Sequence, residues 1–201
     1  MLNNNKIVIL DLNSGNYLYL RNYLRNLNFD TIVTKKASLI KKANILFISG
    51  NSNTIQLMKE INKISNFNLI IKKKIVIAIC SGFQIFSKMV EENNDRISGL
   101  NLITGKVSPF NKNQYHIGWN KIKSKKSFFK KYSKDLFFFS HGYSNFTINN
   151  KNCLAYSEYQ GQKFCSVYKL KNIIGFQFHP EKSGESGKKL IMEVIKNNGK
   201  F

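Results

Sequence analysis

A cysteine, a histidine and a glutamate in this chain sit in local settings that suit nucleophilic catalysis. Cys80 closes an apolar run over residues 75–79 and is followed by Ser81 and Gly82. A strand that turns sharply into a helix presents the residue at the turn on the carboxyl edge of a sheet. The strain of that turn demands small residues two positions before and two after, here Ala78 and Gly82. At the N-terminus of the following helix, the macrodipole and the backbone amides favour a thiolate. The amides of Ser81 and Gly82 are also placed to hold an oxyanion. The plainer reading is a buried, inert cysteine. A second segment, Gly175-Phe176-Gln177-Phe178-His179-Pro180-Glu181, brings His179 out at the end of a predicted strand. Pro180 fixes the backbone there, and a carboxylate two residues on orients the imidazole through one ring nitrogen. The other nitrogen is then left to take a thiol proton. Alone this is a polar loop; together with Cys80 it describes a nucleophile, a base and an orienting acid.

Such a trio has to be positioned by a sheet, and the apolar pattern supplies one. Residues 6–12, 29–34, 45–48 and 75–79 read as strands. Between them, Leu18, Leu20, Tyr23, Leu24 and Leu27, then Ile55, Leu57, Met58, Ile61 and Ile64, recur at helical spacing. Phe83, Ile85, Phe86 and Met89 predict a further helix behind Cys80. Continuous apolar strands alternating with helices call for an open, mostly parallel sheet covered on both faces, an α/β fold. In the second half, residues 100–107, 114–122, 136–139, 153–158, 163–169 and 173–178 read as shorter strands forming a mixed or antiparallel extension of the same sheet. A closing helix covers residues 188–196, and no linker or internal repeat divides the chain, so residues 1–201 are expected to form a single domain.

Composition narrows the function classes. Hydrophobic residues make up 42% of the 201 and are spread along the chain, which argues against disorder. No apolar run approaches a membrane span and residues 1–10 lack the features of a signal peptide, so a cytoplasmic location is expected. Three cysteines, Cys80, Cys153 and Cys165, cannot all pair and fit no zinc spacing, so no metal or cofactor is expected. The net charge of +21 invites a nucleic-acid reading. The lysines are scattered in pairs and triplets rather than gathered among aromatics, however, and the abundance of Lys, Asn, Ile and Phe reads as a coding bias. Neither nucleic acid nor membrane is expected as a partner.

The elbow at Cys80 and the Phe178-His179-Pro180-Glu181 segment resemble the class I (triad) glutamine amidotransferases. The runs His116-Ile117-Gly118-Trp119-Asn120, Phe138-Phe139-Ser140-His141-Gly142-Tyr143 and Gly175 to Ser183 are similar to the glutaminase subunit type of imidazole glycerol phosphate synthase. The resemblance implies a flavodoxin-like fold and hydrolysis of glutamine through a thioester on Cys80, with His179 and Glu181 behind it. It further implies transfer of ammonia to a (β/α)8-barrel cyclase partner in a heterodimer of histidine biosynthesis. Gln84 corresponds to a substrate-contacting residue, and His141 and Tyr143 are expected to wall the site. Besides Ser81, the loop Ser49-Gly50-Asn51-Ser52 should supply an oxyanion amide from Gly50 or Asn51, although the family usually has Pro-Gly-Val-Gly there. Asn16, Tyr19, His116, Trp119 and Lys182 are implied at the partner interface. Two alternatives share the fold. One is a paralogue serving a barrel that aminates a nucleotide-linked sugar for surface polysaccharide; the other is an inactive scaffold, against which the intact Cys80, His179 and Glu181 speak.

Overall fold

Successive side chains of a strand face opposite ways, so a strand that is apolar throughout must be covered on both sides. The computed structural model, which describes residues 6–13, 16–50, 53–124 and 126–200, meets that demand in the first half of the chain. Strands β1 (Ile7–Leu10), β2 (Thr31–Thr34), β3 (Ile45–Ile48) and β4 (Ile75–Ile79) run parallel. Ile7, Ile9, Ile45, Phe47, Ile77 and Ile79 face one layer, while Val8, Leu10, Leu46, Ile48, Val76 and Ala78 face the other. Helix α1 (Tyr17–Asn26) covers the first layer through Leu20 and Leu24. On the second, α2 (Ala37–Lys41), α3 (Thr54–Asn62) and α4 (Phe67–Ile71) insert Ile40, Leu57, Ile61, Phe67 and Ile70.

After β4 come α5 (Ser81–Gln84), β5 (Ser87–Glu92), β6 (Asp95–Ser98), β7 (Ile103–Pro109) and β8 (His116–Lys121). Then follow α6 (Ser127–Lys130), β9 (Leu136–His141), β10 (Tyr143–Asn145), β11 (Cys153–Tyr159), β12 (Gln162–Leu170), β13 (Ile173–Phe176) and α7 (Gly184–Lys196). The central sheet has seven strands in the order β11-β12-β13-β4-β3-β1-β2. β13 lies parallel to β4, and β12 and β11 continue antiparallel. Helix α7 returns to the α1 side, where Leu190, Ile191, Val194 and Ile195 join that core. The parallel sheet with an antiparallel extension is the expected architecture. Pairing β13 with β4 also sets the carboxyl end of β13, and hence His179, beside Cys80.

Two expectations are corrected. The extension is not all of one sheet: β10-β7-β5-β6 form a separate four-stranded sheet and β8-β9 a two-stranded one. The helix behind Cys80 is a single turn, and Met89 lies in β5 rather than on that helix. A short run such as residues 83–89 satisfies helical and strand periodicity alike, and tertiary pairing decides between them. Here the deciding feature is a two-residue hairpin turn. Asn93 and Asn94 both adopt positive φ (52° and 68°), as a type I′ turn requires, and zip β5 onto β6. Among the described residues, no helix is long and apolar enough to cross a membrane.

Candidate active site

The nucleophile candidate is held in a backbone conformation that side chains other than hydrogen rarely adopt. Cys80 has φ 53° and ψ −119°, between the end of β4 and the first turn of α5. Its amide donates to Phe176 O at 2.7 Å, tying the elbow to β13. The turn fits because its neighbours lack bulk. A Cβ on Gly82 would come within 2.4 Å of Ile48 O, and one on Gly50 within 2.9 Å of both Cys80 Cβ and Ile79 O. Ala78 is fully buried in the strand below. Phe83 N and Gln84 N both bond to Cys80 O, closing the turn. Ser81, the first residue of α5, faces the same cavity as Cys80.

His179 arrives from the neighbouring strand. Its amide donates to Phe138 O at 2.8 Å, so β9 clamps the chain just beyond β13. Ser183 reinforces the clamp: its hydroxyl donates to His179 O at 2.6 Å and accepts from Phe138 N at 3.0 Å. A 3-10 turn, Pro180–Lys182, then carries Glu181 back under the ring. His179 Nδ1 and Glu181 Oε1 are 2.8 Å apart, and both side chains are buried. Burial pushes the imidazole toward its neutral form. The negative charge at Cys80, that of Glu181 and hydrogen bonds to both outweigh it, raising the pKa to about 10. With Nδ1–H committed to Glu181, the remaining nitrogen serves the sulfur. Cys80, His179 and Glu181, named from two distant segments, are thus brought together in an arrangement able to supply a nucleophile, a base and an orienting acid.

Above the sulfur lies a cavity of about 240 Å³, lined by Cys80, Ser81, Gln84, Glu92, His141 and Tyr143 among others. Gln84 belongs to its wall, but its amide is engaged within the protein: Nε2 donates to Tyr143 O at 2.6 Å and Oε1 accepts from Thr54 Oγ1 at 3.2 Å. His141 Nδ1 also donates to Tyr143 O, at 2.9 Å. Burial, and secondarily the nearby His116, push the His141 pKa down to about 3, so this ring is neutral. The Tyr143 hydroxyl donates to Asn93 Oδ1 at 2.9 Å and accepts from Asn93 N at 3.2 Å, pinning the β5–β6 turn over the cavity mouth.

This geometry is accompanied by a match to known proteins. A family model described as glutamine amidotransferase class-I matches residues 8–197. The chain is a class I glutamine amidotransferase. It is 35% identical to the imidazole glycerol phosphate synthase subunit HisH of Blochmanniella pennsylvanica, over 94% of this chain and 98% of that one. The HisH subunit of Staphylococcus saprophyticus is 32% identical over 94% and 93% of the two chains. Among solved structures, PurLQS from Thermotoga maritima superposes with a TM-score of 0.68 at 14% identity, covering 96% of this chain and 98% of that one. The glutaminase domain of Trypanosoma brucei CTPS, with bound acivicin, gives 0.61 at 11% identity over 98% and 95%. At such identities these two structures speak for the fold alone.

In this amidotransferase the remaining sequence candidates fall into distinct places. Gly50 is packed against the elbow, and Asn51 lies outside the described residues. Tyr19, half-exposed on α1, and Asn16, whose carbonyl accepts from Leu20 N, sit at the start of that helix. Lys182 is half-buried beside Glu181. Trp119 is 55% exposed, its ring edge-on to Phe138 at 5.8 Å. His116, expected at a partner surface, instead points inward: it is 3% exposed and stacked between Tyr159 at 4.4 Å and Phe139 at 4.7 Å. Alternation along β8 explains the inversion, since His116 faces the core while Ile117 and Trp119 face out. Burial lowers the His116 pKa to about 4.

Sequence reading passed over Glu92, Gln177 and Ile117. Glu92 is 3% exposed at the cavity wall, and its Oε2 accepts from Thr54 N at 2.7 Å and Ile55 N at 3.2 Å at the start of α3. Burial raises its pKa, and those two amides partly offset the rise. Its only sequence signal is the Asn93-Asn94 turn that follows.

Proposed function

We propose that this amidotransferase is a cytoplasmic glutaminase that releases ammonia at Cys80 and delivers it to a (β/α)8-barrel cyclase forming imidazole glycerol phosphate in histidine biosynthesis. The observation that carries the reading is the assembly of Cys80, His179 and Glu181 beneath the cavity, in a chain similar along nearly its whole length to HisH subunits. Glutamine enters with its side-chain amide toward Cys80. The thiolate attacks the amide carbon, and Ser81 N–H, with an amide from the Gly50–Asn51 loop, steadies the developing oxyanion. His179, charged and held by Glu181, gives its proton to the departing nitrogen as the C–N bond breaks. Ammonia leaves and a thioester remains. The neutral ring then draws a proton from water, hydroxide adds to the thioester, and glutamate departs as the thiolate reforms. Glu92, a carboxylate inside the cavity, suits the α-ammonium of the substrate.

The exposed Ile117 and Trp119 of β8, with Tyr115 beside them, form the face on which the cyclase docks. Tyr115 and Ile117 also line the cavity above Cys80, so ammonia released there is next to that face. The test is glutamate release from glutamine by the purified chain, with and without a barrel cyclase and its nucleotide substrate, beside Cys80→Ala. Release that depends on Cys80 and rises at least tenfold with the cyclase supports the reading. Release that the histidine-pathway cyclase leaves unchanged, but a sugar-aminating barrel stimulates, would move the acceptor elsewhere.

A further inference from the structure

Directly behind the nucleophile sits an amide that the triad does not use. Gln177 is fully buried, and its Nε2 lies 3.8 Å from Cys80 Sγ. Its Oε1 accepts two hydrogen bonds, from Gln84 Nε2 at 3.1 Å and from Ser144 Oγ at 3.3 Å. Which end of a glutamine amide is nitrogen has to be settled by its partners, and here a backbone carbonyl settles it. Tyr143 O can only accept, so the Gln84 atom 2.6 Å away must be the NH2 end. That same NH2 faces Gln177 and requires an oxygen there. The nitrogen of Gln177 is therefore turned toward the sulfur. One peptide carbonyl thus fixes, through two side-chain amides, the polarity presented to the nucleophile.

The sulfur's other surroundings make that polarity matter. The Ser140 carbonyl lies 3.7 Å from Sγ, a position that welcomes a thiol proton and repels a thiolate. His179 and Gln177 act in the opposite sense, as donors. We propose that Gln177 is a positioning residue of the glutaminase reaction, its side-chain N–H holding the Cys80 sulfur as an anion aimed into the substrate cavity. The inference rests on the glutaminase reading of Cys80. It adds that the cavity wall and the nucleophile are wired together, because the Gln84 amide that lines the one orients the donor to the other.

Two substitutions probe this without depending on glutamine turnover. Gln177→Glu keeps an acceptor for Gln84 and Ser144 but removes the donor to sulfur. Gln84→Glu leaves Gln177 in place but offers it a carboxylate, which turns its N–H away from Cys80. The readout is the rate of alkylation of Cys80 by iodoacetamide across pH 5–10, followed at that residue by peptide mass spectrometry, with folding checked by thermal melts. A hydrogen bond to a charged group carries enough energy for about a tenfold effect or more. In both variants the rise in alkylation rate should therefore be displaced to more alkaline pH by about one unit. A folded variant of either kind whose profile superimposes on that of the parent chain overturns the inference. If Cys80 of the unmodified chain is itself no more reactive than Cys153, the glutaminase reading fails instead, so the two failures are distinguishable.

Discussion

Three histidines of one chain show how partners, rather than burial, decide what an imidazole does. All three are at most 7% exposed. His179 has two anionic partners and is held charged, whereas His116 and His141 sit among aromatic rings and are held neutral. Phe110, Phe139 and Phe164 surround the latter pair, whose rings lie 5.2 Å apart. The neutral pair makes a prediction about acid stability. Each has a folded pKa, about 4 for His116 and about 3 for His141, below the ordinary 6.5. Protons therefore bind the unfolded chain first. The stabilisation is complete above pH 6.5 and is lost as pH falls toward the folded values. Between pH 6.5 and pH 5 each histidine should cost about 2 kcal/mol at most. His116→Phe keeps an aromatic ring between Tyr159 and Phe139 but binds no proton. Urea unfolding at pH 7 and pH 5 should show a loss about 1–2 kcal/mol smaller in this variant than in the parent chain. An equal loss in both would mean that His116 protonates freely in the folded state.

At the scale of elements, the elbow is where local preference and function conflict. The φ 53°, ψ −119° of Cys80 belongs to glycine, and holding another residue there costs about 1–3 kcal/mol. Glycine at position 80 relieves that cost but carries a larger loss of backbone freedom on folding. Cys80→Gly should thus be more stable to denaturant than Cys80→Ala by about 1 kcal/mol, although both lack the sulfur. Equal stability of the two would show that the elbow relaxes once the sulfur is gone. The same conflict made the elbow legible in the sequence. A turn this tight requires small neighbours, and Ala78 and Gly82 stand at the positions where bulk would strike Ile48 O or distort β4. The parallel core was legible for a related reason, since strands buried on both faces must be apolar throughout. What resisted reading was set by pairing between distant segments. β5 fits helix or strand until β6 and β7 flank it, and α2 and α4, five residues each, are too short to show a period. Glu92 and Gln177 reach the site only because the β5–β6 hairpin folds over α3 and because β13 lies beside β4. The hairpin has a local signature in its Asn93-Asn94 turn, but its placement over α3 and the pairing of β13 with β4 have none.

The whole molecule is lopsided in a way that composition alone hides. Its +21 charge is spread over the chain, yet Tyr115, just before β8, and Ile117 and Trp119 within it are 60%, 67% and 55% exposed, next to the cavity that holds Cys80. Large apolar side chains exposed along this edge are costly to leave in water and suit the docking face proposed above. Trp119 is braced edge-on against Phe138, a preformed anchor with little freedom left to lose on docking. Tryptophan is the residue type that most often dominates an interface, with truncation costing about 2–4 kcal/mol. With the cyclase docked on this face as proposed, Trp119→Ala should accordingly weaken that complex by about 30- to 1000-fold. Because the ring is more than half exposed, the stability of the isolated chain should change by less than about 0.5 kcal/mol. Two titrations of the cyclase separate binding from chemistry, one followed by fluorescence anisotropy and one by glutamate release. Loss of affinity with normal release at saturating cyclase places Trp119 in docking alone. Unchanged affinity with lost stimulation would place it instead in the coupling from the barrel to the loops above Cys80. Unchanged affinity and stimulation would mean that the cyclase docks on another face.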